Sequence, residues 1–228
     1  MSSSEFSGIE WINGLPPTAS AASSVRDRAY EIAKRAFDVA FAVGLLVLVA
    51  PLLVLAMLAV KLTSPGPIFF RQLRAGRDGW PFRMYKLRTM VATAEDDKEL
   101  FRKYNELPTG PCFKIKNDPR VTWVGRYLRR ASIDELPQLW NVLRGEMSVV
   151  GPRPLPLDEV RLDTPEQVLR LTVKPGLTCL WQISGRTEIP YEEWLALDVW
   201  WIRNRTFWLD LQIVLKTIPA ILTGHGAF

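Results

Sequence analysis

Histidine and cysteine are nearly missing from this 228-residue chain, which has one His and two Cys. The sole histidine, His225, lies close to the C-terminus, so general acid–base chemistry by an imidazole is not expected. Cys112 and Cys179 stand far apart and match no zinc spacing. They read as two free thiols in a reducing compartment. No internal repeat, nucleic-acid module or basic-aromatic arrangement is present, so nucleic acid is not an expected partner. Charge is missing altogether from residues 39–60. As a straight helix that run would be ~33 Å long, about one bilayer core. It starts too late and runs too long for a cleaved signal peptide.

What is present points to anionic partners at a surface. The length suits one sizeable domain. The net charge of +5 favours phosphorylated substrates or anionic membrane lipids. Nine tryptophans are many for this length, and Trp prefers sites that are apolar at one end and wet at the other.

The apolar run has two features that a simple span does not explain. Pro51 sits near its middle and removes a backbone hydrogen bond there, which kinks a helix. Basic residues flank both ends: Arg26, Arg28, Lys34 and Arg35 before, Lys61, Arg71, Arg74 and Arg77 after. The positive-inside tendency then places both ends in the cytoplasm. A re-entrant helix–break–helix satisfies both observations; a bitopic span and a buried core helix remain open. Asp38, at the apolar edge, is expected near the headgroups or paired with a base such as Arg35.

Along the chain, residues 1–30 read as a flexible polar tail and 31–62 as the membrane segment. Residues 63–228 read as a cytoplasmic-face domain. Ser64-Pro-Gly-Pro67 is a turn. Residues 68–73 and 82–87 pair as strands around Gly76-Arg-Asp-Gly79. Helices are expected near 95–105, 120–130 and 136–143. In the C-terminal third, Trp194, Trp200, Trp201 and Trp208 lie among aliphatic residues with scattered charges. Amphipathic helices in the bilayer interface give this pattern, and so does a Trp-rich core. The fold class is therefore α+β and helix-rich, with a small β-hairpin, a re-entrant membrane helix and interfacial helices.

The chemistry concentrates at Asp134 and Glu135. Ser132 to Glu135 fits a capping box, S-x-x-E, an ordinary structural use of acids at a helix start. The same position suits phosphate chemistry, because a helix N-terminus offers unpaired N–H groups. Adjacent helical residues point about 100° apart, so one carboxylate can attack phosphorus while the other holds a divalent ion. Mg²⁺ favours carboxylate and phosphate oxygens. Arg153 lies between two prolines in Gly151-Pro-Arg-Pro154, which restrict its backbone and help present its guanidinium to phosphate. Lys86, Arg88, Arg129, Arg130 and Arg186 are further phosphate candidates, each also readable as a solvated charge.

These residues together resemble the bacterial sugar transferases, the monotopic polyprenyl-phosphate phosphoglycosyl transferases. The matching motifs are Lys34-Arg-Ala-Phe-Asp38, Pro51, Ser64-Pro-Gly-Pro-Ile-Phe-Phe70 and Tyr85-Lys-Leu-Arg-Thr-Met90. Asn117-Asp-Pro-Arg120, residues 132–141 and 147–154, Lys174-Pro-Gly-Leu-Thr178, Ser184-Gly-Arg186 and the surroundings of Asp198 complete the series. The resemblance implies transfer of a sugar-1-phosphate from a UDP-sugar to polyprenyl (undecaprenyl) phosphate, with UMP released. It implies Asp134 as nucleophile, Glu135 as Mg²⁺ ligand, and Lys86, Arg129, Arg153 and Arg186 around the phosphates. Arg88 and Asp198 take supporting roles, and Pro51 is the break of a re-entrant helix in the inner membrane, with the active site on the cytoplasmic face. The C-terminal third is closer to exopolysaccharide hexose-1-phosphate transferases, and the chain resembles the minimal catalytic unit of larger members. A Trp-rich surface would support a homodimer. The competing reading is a non-enzymatic adaptor anchored to anionic lipid.

Overall fold

The computed structural model describes residues 25–106, 110–113, 115, 117–184 and 189–223. The first 24 residues, Arg186 and His225 lie outside the described residues. The fold is helix-rich with a small β-hairpin, as the sequence suggests.

The apolar run lies inside one helix, α1 (Val25–Thr63, 39 residues), which starts six residues before the expected edge of the membrane segment. Where a helix, a break and a second helix are expected, one helix runs through. Pro51 is internal to α1 and the residues on both sides remain helical. A proline removes one hydrogen bond and crowds the carbonyl four residues back, which bends a helix without having to end it. By length and composition α1 is the one helix among the described residues suited to crossing a membrane.

One stripe of α1 packs on the rest of the protein from both sides of Pro51. Before the proline, Phe37, Phe41, Ala42, Leu45 and Leu46 join the main core with Leu139, Met147, Trp201 and Ile213. After it, Leu53, Ala56, Met57 and Val60 pack against Leu87, Val124 and Leu128. The opposite stripe, including Val47, Leu48 and Leu55, is exposed and apolar.

Polar contacts fix the N-terminal half of α1. Asp38 is buried and accepts hydrogen bonds from Ser148 Oγ (3.0 Å) and Val149 N (2.9 Å). It is therefore held by the loop into β3 and is not paired with Arg35. Arg35 instead donates to the carbonyls of Val142 (2.6 Å) and Leu143 (2.7 Å). Those carbonyls belong to the last turn of helix α4 (Gln138–Arg144), where intrahelical donors run out, although Val142 O also accepts from Gly145 N (3.0 Å). Gly145 closes that helix at φ 78°, a left-handed conformation glycine adopts without Cβ cost.

The hairpin pairs β1 (Phe69–Ala75) with β2 (Pro81–Leu87), with Phe70 opposite Lys86. The helix expected near 95–105 is shorter: α2 (Lys98–Phe101) runs into a 3₁₀ turn. Helix α3 (Trp123–Arg130) is capped by Thr122, whose side chain accepts from Gly125 N. Two short strands that sequence reading missed, β3 (Ser148–Val150) and β4 (Gly176–Thr178), pair in parallel. Helices α5 (Pro165–Arg170), α6 (Leu180–Ile183), α7 (Tyr191–Asn204) and α8 (Phe207–Thr223) complete the chain. The two readings of the Trp-rich third divide the residues between them. Trp194 and Trp201 are core, while Trp200 and Trp208 are exposed.

Candidate active site

A cavity of about 450 Å³ opens between the hairpin, α3, the loop after β3, and α6. Lys86, Arg129, Asp134, Glu135 and Arg153 all line it. Residues spread over 68 positions of sequence thus meet because β2, α3 and β3 converge on one wall.

The carboxylate pair sits on a 3₁₀ turn, Ile133–Glu135. The capping box expected at Ser132 is not formed. Ser132 adopts φ 54°, and its side chain makes no capping bond. A left-handed serine costs of order 1 kcal/mol or more and persists only where its surroundings enforce it. Here it reverses the chain after α3 and turns Asp134 into the cavity. A true capping box forms elsewhere, between Thr164 and Gln167 at the start of α5.

The two carboxylates have different surroundings. Glu135 Oε1 accepts from Lys86 Nζ (2.7 Å) and from Arg153 Nη2 (2.9 Å). Asp134 is 6% exposed and has no hydrogen-bond partner among the described residues. Burial is the largest influence on Asp134 and pushes its pKa up to about 6; Lys86 opposes that shift and Glu135 reinforces it. Burial also acts against ionising Glu135, but Arg153 and Lys86 outweigh it and hold that carboxyl far below its usual range. Burial lowers the Lys86 ammonium even against the attraction of Glu135. At neutral pH the site thus holds a clamped, ionised Glu135 beside an unclamped Asp134 that titrates nearby.

Arg129 donates from Nε to Thr89 Oγ1 (2.9 Å), and its terminal nitrogens have no partner among the described residues. Burial lowers its guanidinium as well. The position of Thr89 depends on Gly125, because a Cβ there would lie 2.0 Å from the Thr89 carbonyl oxygen. Three cations therefore face two carboxylates, an arrangement that attracts an anion.

The loop carrying Arg153 is held at three successive carbonyls. Pro152 O accepts from Gly176 N (2.8 Å), Arg153 O from Arg170 Nη2 (2.7 Å) and Pro154 O from Arg74 Nη1 (2.9 Å). Sequence marks Arg74 only as a basic flank of the apolar run and does not mark Arg170, since an arginine in a strand or short helix carries no local signal of its partner. Thr89 and Trp181, also on the cavity wall, were missed for the same reason.

The remaining candidates are placed as follows. Arg88 also lines the cavity, and it donates to the carbonyls of Ser64 and Pro65 and to Ser64 Oγ, so its fork holds the turn that follows α1. Arg130 is exposed. Asp198 lies behind the cavity, buried and paired with Arg170 Nε at 2.7 Å.

A domain on a long apolar helix, with a cation-lined cavity and two unlike carboxylates, defines a membrane-associated enzyme for phosphorylated substrates. The profile of the bacterial sugar transferase family matches residues 29–224. The chain belongs to that family. It is 44% identical over 202 residues to the exopolysaccharide production protein ExoY of Rhizobium meliloti, covering 86% of this chain and 88% of the relative. It is 45% identical over 208 residues to the UDP-glucose:undecaprenyl-phosphate glucose-1-phosphate transferase of Caulobacter vibrioides, covering 88% and 73%. It is 39% identical over 210 residues to the undecaprenyl-phosphate galactose phosphotransferase of Salmonella typhimurium, covering 90% of this chain and 44% of that longer protein.

Proposed function

We propose that this protein transfers a hexose-1-phosphate from a UDP-hexose to undecaprenyl phosphate, beginning glycan assembly on a lipid carrier. The observation that carries the mechanism is the unequal pair: Glu135 is engaged by two cations while Asp134 faces the cavity without a partner. An Asp134 carboxylate oxygen attacks the β-phosphorus. The bond from that phosphorus to the bridging oxygen breaks, and UMP leaves with the oxygen. The acyl phosphate left on Asp134 retains high transfer potential. A phosphate oxygen of the lipid acceptor then attacks the same phosphorus and the Asp134 oxygen leaves, which regenerates the carboxylate. Lys86, Arg129 and Arg153 surround the cavity walls where charge develops and stabilise it. Arg186, outside the described residues, is proposed to join them.

Mg²⁺ fits this donor set. Both cations bind Glu135 through Oε1, so Oε2 has no partner among the described residues. Those residues contain no cluster of three or more acidic, Cys or His ligands. That is the usual situation of Mg²⁺, which takes one or two carboxylates and completes its shell with substrate phosphates and water. Glu135 would hold it through Oε2, and when bound it would neutralise diphosphate charge.

The membrane arrangement we propose is re-entrant, at the cytoplasmic face of the inner membrane. A straight α1 would be about 58 Å long, more than a bilayer. Its two halves nevertheless pack on one domain, through Asp38 on one side of Pro51 and Val60 on the other. This supports entry and exit by the same face, with exposed Trp200 and Trp208 at the interface.

The test is UMP release from UDP-glucose and UDP-galactose with undecaprenyl phosphate and Mg²⁺. Without acceptor, a radiolabelled sugar-phosphate adduct should form on Asp134 and be missing in Asp134→Asn. No turnover with any UDP-sugar, together with salt-sensitive binding to anionic vesicles, would favour the lipid-bound adaptor instead.

A further inference from the structure

Arg153 is held at both its backbone and its guanidinium by groups that trace to a single helical turn. Trp194 and Asp198 are four residues apart on α7, so they lie on one face one turn apart. Both are buried. Asp198 Oδ2 accepts from Arg170 Nε at 2.7 Å, and Arg170 Nη2 reaches on to Arg153 O at 2.7 Å. Arg170 also lies over the Trp194 ring, 4.8 Å from its centroid. Trp194 stacks on Trp181 at 4.7 Å and 22°. The Trp181 ring lies 5.7 Å from Arg153 Cζ, and Arg153 Nη2 ends on Glu135 at 2.9 Å.

We infer that Trp194 and Asp198 of α7, acting through Arg170 and Trp181, form a positioning unit that fixes Arg153 against the reacting phosphate. One branch runs Asp198–Arg170 to the Arg153 carbonyl. The other runs Trp194–Trp181 to its guanidinium. The physical need is clear. An arginine side chain has four rotatable bonds, and Glu135 alone restrains only its tip. Clamping the carbonyl fixes the base of the side chain, and the aromatic face limits the plane of the fork. Arg170 suits the first branch because one planar fork reaches both a carboxylate and a carbonyl, which an ammonium at one point does not. Asp198 is buried and joined to Arg170, so it touches no substrate; its role is to hold Arg170 in line.

This inference rests on the transferase reading, and the test separates the two. The full chain in nanodiscs is assayed with whichever UDP-hexose the unaltered protein turns over, with undecaprenyl phosphate and Mg²⁺. No turnover by the unaltered protein would defeat the transferase reading itself. Given turnover, Asp198→Asn and Arg170→Lys should each lower kcat about 10- to 100-fold with KM changed less than about threefold, as expected for misplacement of a transition-state contact. Trp181→Phe, which keeps a π face, should retain more kcat than Trp181→Leu. Each effect should largely vanish in an Arg153→Lys background, because residues acting through one group are not additive. Equal losses in both backgrounds would overturn the inference, and so would a change confined to KM, which would make Trp181 a substrate contact. If Asp198→Asn fails to fold, the Trp181 pair and Arg170→Lys decide the question by the same cycle.

Discussion

The unlike carboxylates predict an acid limb in the first half-reaction. Asp134 must be ionised to attack, and burial pushes its pKa up to about 6. At pH 5 roughly a tenth of it is then ionised, so the rate should be about tenfold below its plateau near pH 8. The assay is a rapid-quench burst of UMP from UDP-hexose without lipid acceptor. Leaving out the acceptor matters, because a phosphate monoester also titrates near pH 6. Lys86→Met sharpens the prediction. Lys86 is the strongest neighbouring charge opposing the rise of the Asp134 pKa, so its loss should move the limb to higher pH. A flat profile from pH 5 to 8 would refute the reasoning and point to Glu135 as nucleophile, since that carboxyl stays ionised throughout. A limb that moves to lower pH in Lys86→Met would refute the electrostatic account.

Three further outcomes are expected. Asp134→Asn should be inactive yet more heat-stable at pH 8. The Asp134 pKa is raised on folding, so its stabilising contribution is full below about 3.8 and lost as pH rises through about 6. Removing the buried charge should recover up to about 3 kcal/mol at pH 8 and nothing near pH 3, read from thermal unfolding. Ile32→Cys and Leu62→Cys, at positions 72% and 82% exposed, should label from the same side of sealed vesicles with an impermeant maleimide; opposite sides would exclude re-entry. Burial pushes the native Cys112 and Cys179 thiols up to about 12, so they should stay silent in that assay. Gly125→Ala must displace Thr89, 2.0 Å from the new Cβ, and with it the bond that orients Arg129. Activity should fall about tenfold or more while the chain remains folded, measured by UMP release beside circular dichroism.

Function was legible where chemistry needs particular residue types in a short stretch. Asp134-Glu135 and Gly151-Pro-Arg-Pro154 each announce themselves locally, and the ordered motifs around them match a family. Arg88 shows the limit of that approach. It is a phosphate candidate in sequence and does line the cavity, but its terminal nitrogens bond Ser64 and Pro65, a tie no local pattern announces. Ser132 shows a second limit. Its S-x-x-E spacing suits a cap, but the lysine of β2 and the arginine after β3 claim Glu135 instead. A charge-assisted bond to a largely buried carboxylate outweighs a neutral cap.

Local sequence was enough for the apolar helix, the hairpin, the basic character and the carboxylate pair, because periodicity, composition and turn residues act over a few positions. Long-range packing sets which carboxylate is unengaged, keeps α1 helical through Pro51, and makes Trp194 and Trp201 core while Trp200 and Trp208 face outward. It also decided that Arg170 and Trp181 stand behind Arg153. Those outcomes depend on which distant groups compete for one buried oxygen or one apolar face. That competition exists only once β2, α3, the loop after β3 and α7 have been brought together.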